Sequence, residues 1–304
     1  MKSKVSNRGT AALNIASIVF VGIFFIRAIT ALFGNSYDWD IDHEMYFGTR
    51  LLNGELLYTA EYHDKLPIVQ YFFLWPAAVS SVHAWASISI ALCVTAALAL
   101  RRSLIVMVSQ GSSLADSLAR SVAGCGASYY LFLVSSLPGS LTHINPAATS
   151  FSLLSIYLLL CASALRKLCN RTLVLALSAV CASVAISIRP YMAPSIVMLG
   201  IWISTRTLLL TSISNMSAMF KRILSFTLFF TLLIFLSGVF LNVIPYLYLG
   251  DFDAFVDGIR HNAQVLNPQS TLLLLLSQAR DYKALGAMLF ITSLFAIMFN
   301  LFVV

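Results

Sequence analysis

Seven of the 12 acidic residues of this chain, Asp38, Asp40, Asp42, Glu44, Glu55, Glu61 and Asp64, fall within one interval of the 304-residue sequence, interleaved with Trp39, Tyr46, Tyr58 and Tyr62. Carboxylates so concentrated can take a proton from a hydroxyl or hold a cation, and His43, Arg50 and Lys65 stand among them as proton carriers or anion partners. Two later positions carry chemistry of the same kind: Arg189, placed between Ile186-Ser-Ile188 and Pro190, and the run Asp251-Phe-Asp-Ala-Phe-Val-Asp-Gly-Ile-Arg260. In the latter, Asp253, Asp257 and Arg260 are spaced four and three apart, so a helix would place them on one face.

Membrane helices hold these residues in place. Hydrophobic residues make up 59% of the chain, charged residues only 10%, and the mean hydropathy is +0.87. Such a composition describes a polytopic membrane protein, and its apolar runs, too long and continuous for barrel strands, make it an all-α helix bundle with about eight or nine membrane segments. The apolar run Ala11–Phe33 extends about 34 Å as a helix, enough for a hydrocarbon core of about 30 Å, and reads as a retained first helix. Further apolar runs cover about 66–82, 84–100, 121–137, 147–165, 172–188, 191–204, 223–249 and 284–304. The whole chain reads as a single transmembrane domain. Residues 34–66 form its large first external loop and residues 250–282 a late external loop, and the stop inside an apolar run at Val304 leaves room for further sequence.

Basic residues collect at Lys2/Lys4/Arg8, Arg101/Arg102, Arg166/Lys167/Arg171, Arg206 and Lys221/Arg222, and these belong on the cytoplasmic side. They share one side only if residues 66–100 make a single net crossing, the first half lying re-entrant or at the interface and the second half spanning. The acidic first loop, the Thr142–Pro146 turn, the Arg189-Pro190 turn and the Asp251–Gln269 loop then all lie outside. The net charge of +7 follows from this loop bias and implies no nucleic acid. The five cysteines read as small core residues, and no Walker loop, dinucleotide-binding glycine pattern or HExxH is present.

The residues Asp42-His-Glu-Met-Tyr46, then Gly54-Glu55 with Tyr58, then Lys65-Leu-Pro67 running into a helix, resemble in order and spacing the motifs of GT-C fold glycosyltransferases, the group of protein O-mannosyltransferases and aminoarabinose transferases. The resemblance covers about 30 residues. His43 stands where that pattern has a second acid, and Leu66 where it has a first proline. The resemblance implies a bacterial inner-membrane enzyme with its site facing the periplasm. It would transfer a sugar from a polyprenyl phosphate to a hydroxyl of a glycan, lipid or protein acceptor, with Asp42 as general base and Asp40 in reserve. His43, Glu44, Tyr46, Glu55 and Tyr58 would support the base, and Lys65 and Arg189 would meet the donor phosphate. No cofactor motif is present; a divalent cation is the one metal the acidic motif leaves open.

Other readings stand beside these. Arg189 could be a snorkelling helix anchor. The Asp253/Asp257/Arg260 segment, read as an acceptor or secondary loop, could equally be an amphipathic helix with Phe252 and Phe255 in the headgroup region. For the whole chain the alternatives are a transporter or flippase of a lipid-linked substrate, and a non-catalytic lipid-binding subunit of GT-C-like architecture.

Overall fold

A computed structural model describes residues 2–34, 40–59, 65–111, 116–136, 139–165, 167–189, 192, 193, 196, 200 and 216–265. Among them every regular element is an α-helix: α1 Lys2–Phe33, α2 Asp40–Leu52, α3 Ile68–Phe72, α4 Leu74–Ala78, α5 Val82–Gly111, α6 Asp116–Val134, α7 Asn145–Ala164, α8 Leu168–Ile188, α9 Met216–Asn242, α10 Ile244–Leu249 and α11 Phe252–Val265. Among the described residues, five stretches are long and apolar enough to cross a bilayer: Gly9–Phe33, Val82–Met107, Asn145–Ala164, Cys169–Ile188 and Ile223–Leu249. The chain is therefore multi-pass. The expected apolar run at 284–304, and most of that at 191–204, lie outside the described residues.

The run 66–82 does not form a spanning helix. It folds as α3 and α4, five residues each, and ends at Ser80, whose φ of 50° is left-handed. A single 30-residue helix, α5, then makes the crossing. The first loop is not merely a loop either, since residues 40–52 form α2.

Packing brings one end of each long helix together. Ile41 of α2, Val69 and Phe73 of the α3–α4 segment, Trp85 near the start of α5, Ile144 before α7 and Ile188 at the end of α8 form one buried cluster. The Trp85 indole N–H donates to the carbonyl of Thr142 at 2.7 Å, and the backbone N–H of Ile68 donates to Oδ1 of Asn242, the last residue of α9, at 2.9 Å. Asn242 in turn donates to the Ser187 hydroxyl at 3.0 Å. In this arrangement Lys2, Lys4 and Arg8, Lys167 and Arg171, and Lys221 and Arg222 occupy the far ends of α1, α8 and α9, and Arg101 and Arg102 lie in the far third of α5. The acidic segments and the basic clusters are thus segregated by the length of the bundle, the distribution that the positive-inside tendency demands.

Between the helices, small residues permit close approach. Ala179, Ala182 and Ala185 of α8 are fully buried against Leu159 and Ala162 of α7, and the Ser155 and Ser178 hydroxyls meet at 3.1 Å. Polar links of this size between small side chains are typical glue between membrane helices.

Candidate active site at the acidic end of the bundle

Helix α2 lies across the end of the bundle, and its sequence dictates which side faces in. Ile41, Glu44, Phe47 and Gly48 recur at helical spacing and are buried, whereas Asp42, His43, Tyr46 and Thr49 face out. Gly48 is required at the crossing: a Cβ there would lie 2.5 Å from the carbonyl oxygen of Phe73. Asp42 and Glu44, two residues apart, therefore take opposite surroundings. Asp42 is open to solvent or substrate, and Glu44 points into protein.

Glu44 pairs there with Lys65, whose Nζ lies 2.8 Å from Oε1; the side chains are 3% and 6% exposed. Burying two charges is so costly that their attraction does little better than an apolar pair of the same shape, but removing one partner strands the other. The pair therefore fixes where α2 sits against the segment leading into α3. Lys65 is also held through its backbone. Its carbonyl accepts from the Tyr58 hydroxyl at 2.6 Å, and the next N–H, of Leu66, donates to the carbonyl of Ser187 at 3.2 Å.

Gln70 joins the same assembly. Its amide nitrogen donates to the carbonyls of Phe47 (2.8 Å) and Glu55 (3.0 Å), and its Oε1 accepts from the Leu57 N–H (2.9 Å). One buried side chain thus closes the turn after α2 onto α3. The turn leads to Tyr58 at φ 66°, a left-handed backbone that a non-glycine residue adopts only where surroundings enforce it. Those surroundings include the Tyr246 hydroxyl, which donates to the Leu57 carbonyl, and Gly258 of α11, where a Cβ would fall 2.4 Å from Cγ of Tyr58. Next to Gln70, burial raises the Tyr71 phenol above its ordinary value.

Arg189 caps the end of α8, half-buried, and its Nε donates to Oδ1 of Asn145. The Asn145 backbone N–H donates to Nδ1 of His143 at 3.0 Å, which fixes that ring nitrogen as an acceptor. Among the described residues no carboxylate pairs with Arg189. Its outer guanidinium N–H groups are available to an anion beside the Lys65–Ser187 junction.

On the outward face of α2, Arg50 donates to the Tyr46 hydroxyl at 2.9 Å and forms an ion pair with Glu55, its Cζ 5.6 Å from the centre of the Tyr46 ring. The late segment behaves differently from a headgroup anchor. Phe255 of α11 packs against Tyr246 and Tyr58, with ring centres 5.3 Å and 6.4 Å away, so the apolar face of α11 docks on the 55–58 turn. Phe252 remains exposed. Asp253 and Asp257 are exposed, and Asp257 accepts from Arg260 at 2.7 Å.

No family model, curated protein or solved structure matches this chain.

Asp42, His43, Tyr46 and Glu55 belong to the outer surface of α2 and its turn; Glu44, Tyr58 and Lys65 are built into the support; Arg189 flanks them. Asp40 is the first residue of α2. Asp38, Glu61, His63 and Asp64 lie outside the described residues. Among the described residues, no three His, Cys, Asp or Glu side chains converge as metal ligands. Sequence reasoning passed over Gln70, Asn242 and Gly258. Each had a signal: the first two are lone amides within apolar runs, where a polar group needs a partner, and the third interrupts the apolar face of an amphipathic helix.

Proposed function

We propose that this chain is a membrane glycosyltransferase that moves a sugar from a polyprenyl-phosphate donor to an acceptor hydroxyl at the outer face of a bacterial inner membrane. Asp42 takes the hydroxyl proton as the acceptor oxygen attacks the anomeric carbon. The bond from that carbon to the phosphate oxygen breaks, and the phosphate leaves with the electron pair. A single displacement of this kind inverts the anomeric configuration. Arg189 meets the charge that develops on the departing phosphate, a role suited to a planar cation with forked donors.

The observation that carries this reading is that an outward carboxylate, Asp42, and a half-buried arginine with no acidic partner among the described residues lie at the same end of the bundle, next to Ile41 and Ile188 of one buried cluster. Lys65, neutralised by Glu44, holds α2 in place rather than meeting the phosphate. The spans themselves favour an enzyme over an ion-coupled transporter: the stretches Gly9–Phe33, Val82–Met107, Asn145–Ala164, Cys169–Ile188 and Ile223–Leu249 contain no Asp or Glu.

The test is binding of a polyprenyl phosphate to the full chain in nanodiscs. Arg189→Gln should weaken binding about tenfold or more, because a charge-assisted phosphate contact is lost. Asp42→Asn should leave it nearly unchanged. Equal affinity of wild type and Arg189→Gln would remove Arg189 from the donor site.

A further inference from the structure

The outward face of α2 carries a row of side chains that the transfer step does not use. Tyr46 follows Asp42 by four residues and precedes Arg50 by four, so the three lie one above another over about 12 Å of helix. The Tyr46 ring is 40% exposed, yet it is not loose. Phe47 meets it edge-on with ring centres 5.5 Å apart, its hydroxyl accepts from Arg50, and Arg50 is held by Glu55.

Two features set this row apart from an ordinary interfacial tyrosine. An interfacial ring offers its hydroxyl to water and headgroups, whereas here the hydroxyl is engaged by Arg50, whose guanidinium also lies over the ring near that end, and the exposed remainder of the ring is what a ligand can meet. The charges also do not suit an anionic headgroup. Arg50 is already neutralised by Glu55, and Asp42 adds a negative charge at the other end of the row. A fixed aromatic face flanked by carboxylates and a guanidinium matches a neutral polyhydroxyl ligand: pyranose C–H groups stack on the ring while hydroxyls donate to Asp42 and Glu55 and accept from Arg50. The side chains are already ordered, so little entropy is lost on binding.

We infer that the face formed by Asp42, Tyr46 and Arg50 of α2 with Glu55 of the following turn is a carbohydrate-binding site for the acceptor, which makes the acceptor hydroxyl that of a neutral saccharide. This rests on the transferase reading above, since it is Asp42 that gives a saccharide seated on Tyr46 its chemical purpose.

Saturation-transfer-difference NMR on the full chain in nanodiscs tests it, with neutral trisaccharides of glucose, mannose, galactose and N-acetylglucosamine as probes. The expected result is transfer to the ring C–H protons of at least one probe, with Tyr46→Ala weakening affinity about tenfold and Tyr46→Phe retaining most of it. Arg50→Ala, which frees the ring, should also weaken binding. No transfer from any probe, or equal affinity in wild type and Tyr46→Ala, would overturn the inference. The donor reading fails separately: saccharide binding that depends on Tyr46 stands whether or not the Arg189→Gln experiment shows a polyprenyl-phosphate site.

Discussion

Breaking the Glu44–Lys65 pair is the perturbation whose consequence the structure defines most closely. At 2.8 Å and an effective dielectric of about 20, the gross attraction is about 6 kcal/mol. Most of this offsets the desolvation of two side chains that are 3% and 6% exposed, so the pair contributes little net stability compared with an apolar pair. Removing one member is different, because the survivor keeps its desolvation cost and loses its partner. Lys65→Met and Glu44→Gln should each cost about 3 kcal/mol, and the double variant should cost no more than either single one. The coupling energy is then about 3 kcal/mol, against less than about 1 kcal/mol for a pair in water. Titration of the purified protein in mild micelles with sodium dodecyl sulfate, followed by far-ultraviolet circular dichroism, gives the four stabilities. Additive single effects, with a coupling below about 0.5 kcal/mol, would refute a buried pair that fixes α2.

Gln70→Leu preserves volume but strands two carbonyls and one N–H, and should lower stability by about 3 kcal/mol in the same titration. Gly258→Ala forces a methyl group into the Tyr58 ring and should cost about 1–3 kcal/mol. Pairing it with Tyr58→Gly, which also relieves the left-handed backbone, should cost less than the sum of the two. In a background without the five cysteines, an impermeant maleimide applied to intact cells should label Thr49→Cys and spare Lys167→Cys, because the two positions sit at opposite ends of the bundle. Labelling of Lys167→Cys alone would invert the proposed orientation.

How much of this was legible in the sequence depends on range. The long helices were plain, since each is a continuous apolar run: 147–165 appears as Asn145–Ala164 and 172–188 as Leu168–Ile188. The failure of 66–82 to span was legible only through the charge distribution, and its break into two short helices was not. The outward and inward faces of α2 follow from helical periodicity once its helical state is known, but the Asp and Gly content of residues 38–54 favours a loop, and only packing of Ile41 and Gly48 on the α3–α4 segment and of Phe47 on the 56–58 turn and Tyr246 overrides that preference. The partnership of Glu44 with Lys65 spans 21 residues, and that of Arg189 with Asn145 spans 44, so no local pattern could show them. The docking of α11 on Tyr58 crosses two hundred residues, which is why its apolar face looked like a surface for lipid.

The proposed role of Asp42 is that of the base in a transferase that draws on a polyprenyl-phosphate sugar. Mass spectrometry of the lipids that co-purify with wild type and Asp42→Asn tests it without a guess at sugar or acceptor. Polyprenyl phosphate should accompany both proteins, with the sugar-loaded form enriched on the Asn variant because its turnover is blocked. Bulk phospholipid alone on both would contradict the claim.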